Sequence, residues 1–187
     1  MSRPSGQLTD TEPLLQWEWD LIRPRLEPHW QLLYDVLWET GARLGEVLPI
    51  ERKDVENNGI WITSEKRADR LRIHIPLSVG LYNRLSLYAL SHKRVKLFPY
   101  SPSGAWLALK KACKEAGVRE TIHPHSFRHG FGHRAVRLKT EGQSALEQLM
   151  TVQRMMRHLS IDSTLIYTKS TQGEIEEAFR KLNSGSV

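Results

Sequence analysis

A stretch rich in histidine and arginine, HPHSFRHGFGHR at residues 123–134, concentrates side chains that can do chemistry. On a helix, His125, Arg128 and His129 lie on one face, because helical residues three and four positions apart are neighbours. His129 and His133 repeat the four-residue spacing that zinc sites use. Arginine donors and histidines also suit a phosphate group. The stretch therefore indicates either a metal site or an anion site.

The charges around this stretch favour the anion. Between residues 121 and 140 there is no Asp or Glu, and Arg128 and Arg134 carry fixed positive charge that repels a cation. We therefore expect no metal ion to bind here. Local polar contacts within the protein are the preferred interpretation of three of the histidines, His123, His129 and His133.

Two further stretches carry reactive side chains. In TGARLGE, residues 40–46, Arg43 and Glu46 are one helical turn apart, so the carboxylate can orient the guanidinium. A surface ion pair of little energetic value is the alternative for these two residues. In RMMRHLSIDSTLIYTK, which starts at Arg154, His158 lies near a predicted helix end and Tyr167 follows it. This tyrosine is either a packed side chain or a nucleophile.

The elements that must position these residues are mostly helices. Apolar residues recur at three- and four-residue spacing before and after Gly41, which predicts two helices joined at that glycine. The segments GIWIT and LRIHIPL are rich in β-branched residues and predict a hairpin. Further helices are expected near 78–91, 102–116, 125–138, 144–158 and 173–182. The predicted fold class is mainly α with a small antiparallel β-sheet (α+β).

The composition is that of one globular domain with excess positive charge. The chain has 187 residues, with 27 Lys and Arg against 21 Asp and Glu, a net charge of +6 and a pI near 9.6. Such a chain attracts polyanions, so nucleic acid is the first partner to consider, and a basic protein without such a partner is the alternative. We expect a flexible N-terminal tail or short linker over residues 1–22 and one domain over residues 23–187.

The sequence also bears on the compartment in which the protein works. Its one cysteine, Cys113, excludes an intrachain disulfide and fits a reducing compartment. The first residues, MSRPSGQLTDTEP, lack the apolar region of a signal peptide, and no run approaches about 18 apolar residues. We therefore expect a cytoplasmic protein that is not inserted in a membrane.

Taken together, the three stretches resemble the catalytic domain of the tyrosine recombinases, the phage integrase family. The family pattern has an Arg in TGxRxxE, an HxxR pair, and a GH followed by Ser/Thr-rich sequence and a Tyr. This chain has TGARLGE, HSFR and RHLSIDSTLIY in that order, and the resemblance covers residues 30–182. It implies a tyrosine-recombinase-like catalytic fold. It also implies cleavage and rejoining of DNA through a 3′-phosphotyrosyl link, with no metal, ATP or other cofactor.

The resemblance further implies a role for each matched residue. Tyr167 is the expected nucleophile, and Arg43 and Arg128 are expected to bind the non-bridging oxygens of the phosphate, whose charge arginine neutralises. His125 is the expected general acid/base, and His158 the expected hydrogen-bond donor to the phosphate. The remaining assignments are Lys66 as general acid for the leaving 5′-oxygen, Glu46 as an orienting residue, and Arg67, Arg70 and Arg72 as contacts to DNA phosphates.

Three features depart from the family pattern. Arg157 precedes His158 at the position where the family has a glycine that lets the backbone turn. The segment KTEGQS, residues 139–144, lengthens the region between HSFR and His158. Only 42 residues precede Arg43, where typical members carry a separate helical domain that closes around DNA.

The resemblance implies several partners and leaves rival functions open. The expected partners are double-stranded DNA, further copies of the chain in a tetramer on two DNA sites, and accessory DNA-binding proteins. Rival functions are a non-catalytic DNA-binding regulator of a mobile element, a type IB topoisomerase-like relaxing activity and a metal-dependent phosphoesterase. A C-terminal amphipathic stripe is expected either to pack on its own domain or to dock into a neighbouring protomer. The stripe consists of Ile175, Ala178, Phe179 and Leu182.

Overall fold

Helices make up most of the described part of the chain, together with one small sheet. The structure is a computed structural model that describes residues 12–64, 71–138, 142, 144–157, 162–168 and 180. The predicted mainly α fold with a small antiparallel sheet is confirmed. The elements are α1 (Gln16–Ile22), α2 (Pro28–Thr40), α3 (Leu44–Val47), β1 (Val55–Glu56), β2 (Gly59–Thr63), β3 (Arg72–Pro76), α4 (Val79–Ser91), α5 (Pro102–Ala116), α6 (Pro124–Arg137), α7 (Ala145–Met155) and α8 (Asp162–Leu165), with short 3₁₀ turns at Arg23–Arg25, Arg52–Asp54 and Ile166–Thr168.

The sheet is antiparallel, with the strand order β1-β2-β3. Asn57 and Asn58 join β1 to β2 with φ angles of 52° and 57°, the left-handed values that a tight two-residue hairpin turn requires and that asparagine tolerates. β2 and β3 pair along their whole length, so the hairpin predicted from GIWIT and LRIHIPL is confirmed. The Ser64 N–H donates to the Leu71 carbonyl (2.9 Å) and closes the base of this hairpin, whose residues 65–70 lie outside the described residues.

The described residues form two compact units, divided after residue 131. In the first unit, Phe127 of α6 lies at the centre of an aromatic cluster. Its ring centroid is 5.1 Å from Trp19, 5.0 Å from Tyr34 and 6.4 Å from Trp38. Because close packing leaves such rings little freedom, the cluster fixes the first half of α6 against α1 and α2.

Helix α1 lies within residues 1–22, for which the sequence predicted a flexible tail or short linker. Its Trp19 and Ile22 are buried, and burial of an apolar side chain contributes about 1.5–3 kcal/mol. Glu18 is buried as well and accepts hydrogen bonds from Arg119 Nε (2.6 Å) and Nη2 (3.1 Å). These contacts explain why this stretch folds, and they make α1 part of the core of the first unit. The domain boundary at residue 23 stays a prediction.

The helices of the first unit begin and end where their caps predict. The hydroxyl of Ser78 accepts the Leu81 N–H at the start of α4, and the hydroxyl of Ser101 accepts the Gly104 N–H at the start of α5. Gly117 ends α5 with a left-handed φ of 66°. The helices predicted near 78–91, 102–116 and 125–138 therefore agree with α4, α5 and α6 to within one residue.

The second unit contains α7, α8 and the 3₁₀ turn that carries Tyr167. Ser144 caps α7 through its hydroxyl. The helix ends at Met155, short of the predicted end at residue 158, because Arg157 adopts a left-handed φ of 57°. Of the helix predicted over 173–182, only residue 180 is described, and the residues of its apolar stripe lie outside the described residues. In the described part of both units, no helix has the length and apolar character needed to cross a membrane.

Candidate active site

Arg43 lies in the turn between α2 and α3, and this turn fixes its side chain. Arg43 occupies the N-cap position of α3, and the Glu46 carboxylate accepts two of its hydrogen bonds, one from the backbone N–H (2.9 Å) and one from Nη1 (3.0 Å). The Glu46 side chain is fully buried, whereas 23% of the Arg43 side chain is exposed. The pair is therefore not a surface ion pair. A buried carboxylate orients a partly exposed guanidinium, and this arrangement suits an arginine that must meet a ligand.

Arg128 is anchored at the same turn. It is only 1% exposed, and its Nη1 donates to the carbonyl oxygen of Gly41 at 2.7 Å. Gly41 ends α2 with a left-handed φ of 60°, and a Cβ at this position would lie 2.5 Å from the Phe131 ring, so only glycine fits. The stretches TGARLGE and HSFR thus meet at Gly41, two positions before Arg43 in the sequence.

One nitrogen of Arg43 has no hydrogen-bond partner in the described part of the chain. Among the described residues, the Nε of Arg43 is buried and makes no hydrogen bond. An unsatisfied buried donor costs about 1–3 kcal/mol, and more if it carries charge. A phosphate oxygen is the kind of acceptor that a guanidinium binds best, because two parallel N–H donors match its geometry. The turn therefore has the chemistry of an anion site.

His125 and His129 of α6 lie close enough to Arg128 to feel its charge, and His123 lies just before the helix. His123 accepts the His125 backbone N–H on its Nδ1 (3.2 Å), which supports the interpretation of His123 as a local polar contact. The rings of His125 and His129 meet edge to face, with centroids 4.9 Å apart. Desolvation, followed by the charges of His129, Arg128 and Arg43, lowers the pKa of His125 to about 4. His125 is exposed, and with this pKa its ring is neutral at pH 7.

Tyr167 is held by the second unit. It is only 4% exposed, and its backbone carbonyl accepts a hydrogen bond from Arg137 Nη1 (3.2 Å). The neighbouring Thr168 hydroxyl donates to the Leu165 carbonyl (2.7 Å) and closes the 3₁₀ turn. The tyrosine is thus docked by both its ring and its backbone.

A residue that the sequence reasoning missed lies under this ring. A Cβ at Gly132 would lie 2.6–2.8 Å from three atoms of the Tyr167 ring, so the ring packs directly on the glycine backbone. The signal was present in the letters GFG at residues 130–132, because a glycine inside a helical pattern often marks close approach of another group. Nothing in the sequence identifies the approaching group as Tyr167.

Of the other five predicted site residues, the structure describes one, Arg72. Arg72 begins β3, where its Nη2 lies 2.7 Å from the Asp54 carboxylate and its guanidinium stacks 4.8 Å from the Trp61 ring centroid. Its contact with DNA stays a prediction. Four predicted residues lie outside the described residues, namely Lys66, Arg67, Arg70 and His158. In the described ranges, no group of three or more His, Cys, Asp or Glu side chains is placed to hold a metal ion.

Comparison with known proteins identifies the family. The sequence profile of the phage integrase family matches residues 25–174. Tyrosine recombinase XerD from Listeria monocytogenes is 28% identical over 169 residues, an alignment that covers 82% of this chain and 54% of XerD. The chain therefore belongs to the phage integrase family, and it spans about half the length of the curated relatives it matches.

Solved structures of recombinases share the fold. The XerA recombinase superposes with a TM-score of 0.71 at 21% identity, over 97% of this chain and 66% of XerA. The catalytic domain of bacteriophage HP1 integrase superposes with a TM-score of 0.66 at 18% identity, over 90% of this chain and 94% of that domain. The XerH recombinase, solved bound to its palindromic difH substrate in a post-cleavage complex, gives a TM-score of 0.69 at 20% identity, over 90% of this chain and 52% of XerH. This chain thus has the fold of a tyrosine recombinase catalytic domain.

Proposed function

We propose that the chain is the catalytic part of a site-specific DNA recombinase or integrase. It cleaves and rejoins DNA strands through a 3′-phosphotyrosyl intermediate, without metal or ATP. Membership of the phage integrase family supports this proposal, as does the similarity to XerH, which was solved on cleaved DNA. The proposed location of the protein is the cytoplasm, where a reducing environment suits its single cysteine, Cys113.

One observation carries the proposal. Arg43 and Arg128 are both tied to the turn at Gly41, and the buried Nε of Arg43 has no acceptor among the described residues. Phosphoryl transfer needs fixed positive charge where the equatorial oxygens of the transition state gain negative charge. Two guanidinium groups held before substrate arrives supply that charge without reorganisation.

The reaction balances with side chains of this chain alone. The phenol oxygen of Tyr167 forms a bond to phosphorus while the bond to the 5′-oxygen breaks, and that oxygen leaves as a hydroxyl. His125, neutral at pH 7, accepts the phenol proton, and Lys66 supplies a proton to the leaving oxygen. Rejoining reverses each step when a 5′-hydroxyl attacks the phosphotyrosine.

The remaining roles complete the proposal. Glu46 orients Arg43 through the two hydrogen bonds described above, and His158 donates a hydrogen bond to the phosphate. Double-stranded DNA is the substrate, with four copies of the chain assembled on two sites and accessory DNA-binding proteins as further partners. The proposed contacts to DNA phosphates are Arg67, Arg70 and Arg72.

Covalent trapping tests the proposal. The protein is incubated in EDTA with DNA fragments that flank its own gene, and protein–DNA complexes that survive SDS are counted. We expect an adduct with the wild type and none with Tyr167→Phe, while the affinity for DNA is the same in both. An adduct in Tyr167→Phe would remove Tyr167 from the mechanism.

Two other outcomes would each overturn the proposal in a different way. DNA binding without an adduct would favour the non-catalytic regulator. Cleavage that EDTA abolishes would favour a metal-dependent phosphoesterase.

A further inference from the structure

The segment that precedes α1 crosses the helix on which His125 and Arg128 lie. We call residues 12–15 the strap. The N–H of Leu14 donates to the carbonyl of Ser126 in the first turn of α6 (3.0 Å), and Leu14 itself is only 1% exposed. The strap is thus part of the folded unit and bonds to the backbone between the two proposed site residues.

A glycine in α6 makes this crossing possible. A Cβ at Gly130 would lie well inside 3.0 Å of the Leu14 carbonyl oxygen and 3.3 Å from the Leu14 nitrogen and carbonyl carbon. Backbone atoms cannot turn aside as a flexible side chain can. Helix propensity alone favours alanine over glycine inside a helix, so the close approach of the strap is what demands glycine here.

Arg119 holds the strap from its other side. Its Nη2 donates to the Pro13 carbonyl (2.6 Å), and its guanidinium also bonds to Glu18 of α1 and pairs with Glu12. Arg119 precedes α6 by only a few residues. The strap is therefore fixed at both ends, to the turn before α6 and to the backbone of α6 itself.

Two side chains of α6 that follow this anchored turn tie the helix to its surroundings. Arg128 reaches the Gly41 carbonyl from the helix, and Phe127 packs on Trp19 of α1, which follows the strap directly. A shift of the strap must therefore move α6 or break its backbone contact. Misplacement of a catalytic group by about 1 Å can cost up to about 100-fold in rate.

We infer that the strap is a positioning element for catalysis, which sets His125 and Arg128 through the contact between Leu14 and Gly130. The inference rests on the proposed function for its effect on rate. The contacts of the strap with α6 and with Arg119, from which we infer this role, all lie inside the first unit. Leu14 and Gly130 touch no reacting atom, so they are positioning residues.

The test compares Gly130→Ala with Gly80→Ala in the full chain. Gly80 lies in α4, and a Cβ there would meet no atom within 4 Å, so it controls for the general effect of alanine in a helix. Two quantities are measured at a temperature where both variants are fully folded by circular dichroism. They are the rate of adduct formation at saturating DNA and the response of the His125 ring proton signals to sulfate.

We expect Gly130→Ala to slow adduct formation by about 10- to 100-fold and to weaken the sulfate response. Gly80→Ala should change neither. Unchanged rate and unchanged sulfate response in Gly130→Ala would overturn the inference, even if that variant melts at a lower temperature. If the wild type forms no adduct on any DNA, the proposed function fails, and the sulfate response still decides whether the strap positions His125.

A truncation sharpens the result. A chain that begins at Gln16 lacks the strap, so the clash at residue 130 disappears with it. We expect this chain to show the same loss as Gly130→Ala, and Gly130→Ala to add no further loss in it. If the truncation and Gly130→Ala together slow adduct formation by the product of their separate factors, the two changes do not act through the same contact. If the truncated chain does not fold, the comparison of Gly130→Ala with Gly80→Ala decides alone.

Discussion

The arginine turn of the first unit and the tyrosine turn of the second unit hold their proposed site residues by different means. Arg43 and Arg128 are fixed by charge-assisted hydrogen bonds, to the Glu46 carboxylate and to the Gly41 carbonyl. Tyr167 lies on a 3₁₀ turn of three residues, with its ring packed on a glycine backbone.

The difference has a physical reason. A guanidinium has several donors in a fixed plane, so a few acceptors determine its position in advance of substrate. A phenol ring offers mainly a flat surface, and shape determines where it docks. The two arginines proposed to bind phosphate are therefore preorganised by polar bonds, whereas the tyrosine proposed as nucleophile is positioned by the space that a glycine leaves.

The largest effect is expected from removal of the arginines. Arg43→Ala and Arg128→Ala should each slow cleavage by about 100- to 1,000-fold, as loss of one oxyanion donor does. The measurement is single-turnover adduct formation at saturating DNA. Arg43→Lys is the matched control, because it keeps the charge and removes the buried Nε. We expect lysine to recover little of the rate. Near-normal cleavage by either alanine variant would contradict the phosphate-binding role.

A substitution at Gly132 tests whether the Tyr167 ring is positioned by the space that this glycine leaves. Gly132→Ala places a methyl group where the Tyr167 ring now lies, and overpacking of this kind costs about 1–3 kcal/mol. The free energy of unfolding is measured in urea. Gly80→Ala, in open space, should be neutral or stabilising by up to about 1 kcal/mol. Equal behaviour of the two variants would mean that the ring does not need the glycine.

The left-handed residue that ends α7 offers a smaller effect. Arg157→Gly and Arg157→Ala remove the same side-chain contacts, so their difference isolates the backbone. At φ 57° the glycine variant should be more stable than the alanine variant by about 1 kcal/mol, since a Cβ is disfavoured there. Thermal unfolding of the two proteins side by side measures this difference. A more stable alanine variant would show that residue 157 does not adopt the left-handed conformation.

The smallest expected effect is the change in stability that accompanies protonation of His125. Its pKa is lowered to about 4 from an ordinary value near 6.5, so protonation between these pH values favours the unfolded chain. Stability should therefore fall as pH falls through this window. A bound anion should raise the pKa, because it offsets the charges of Arg43 and Arg128. NMR titration of the ring protons with and without sulfate measures this, and Arg43→Ala should reduce the effect. A pKa that sulfate leaves unchanged would argue against an anion at this turn.

The sequence predicted the elements of this fold well, for reasons that are local. Helices α4, α5 and α6 follow from apolar periodicity and from caps such as Ser101 and Gly117, which act within a few residues. Strand β1 was missed because two residues carry no periodic pattern. The burial of α1 could not be predicted from the sequence, because its cause, the packing of Trp19 and the bonds of Glu18 to Arg119, involves residues distant in the sequence.

The candidate site shows the same division. Arginine, histidine and tyrosine in their motifs predicted the chemistry proposed for this chain, because residue type and helical spacing are properties of the sequence. Only the tertiary structure decided that Arg128 bonds to the Gly41 carbonyl, that Tyr167 packs on Gly132 and that Leu14 crosses α6 at Gly130. Each of these contacts joins residues far apart in the chain. Their energies depend on close approach of backbone and side chain, which no local pattern encodes.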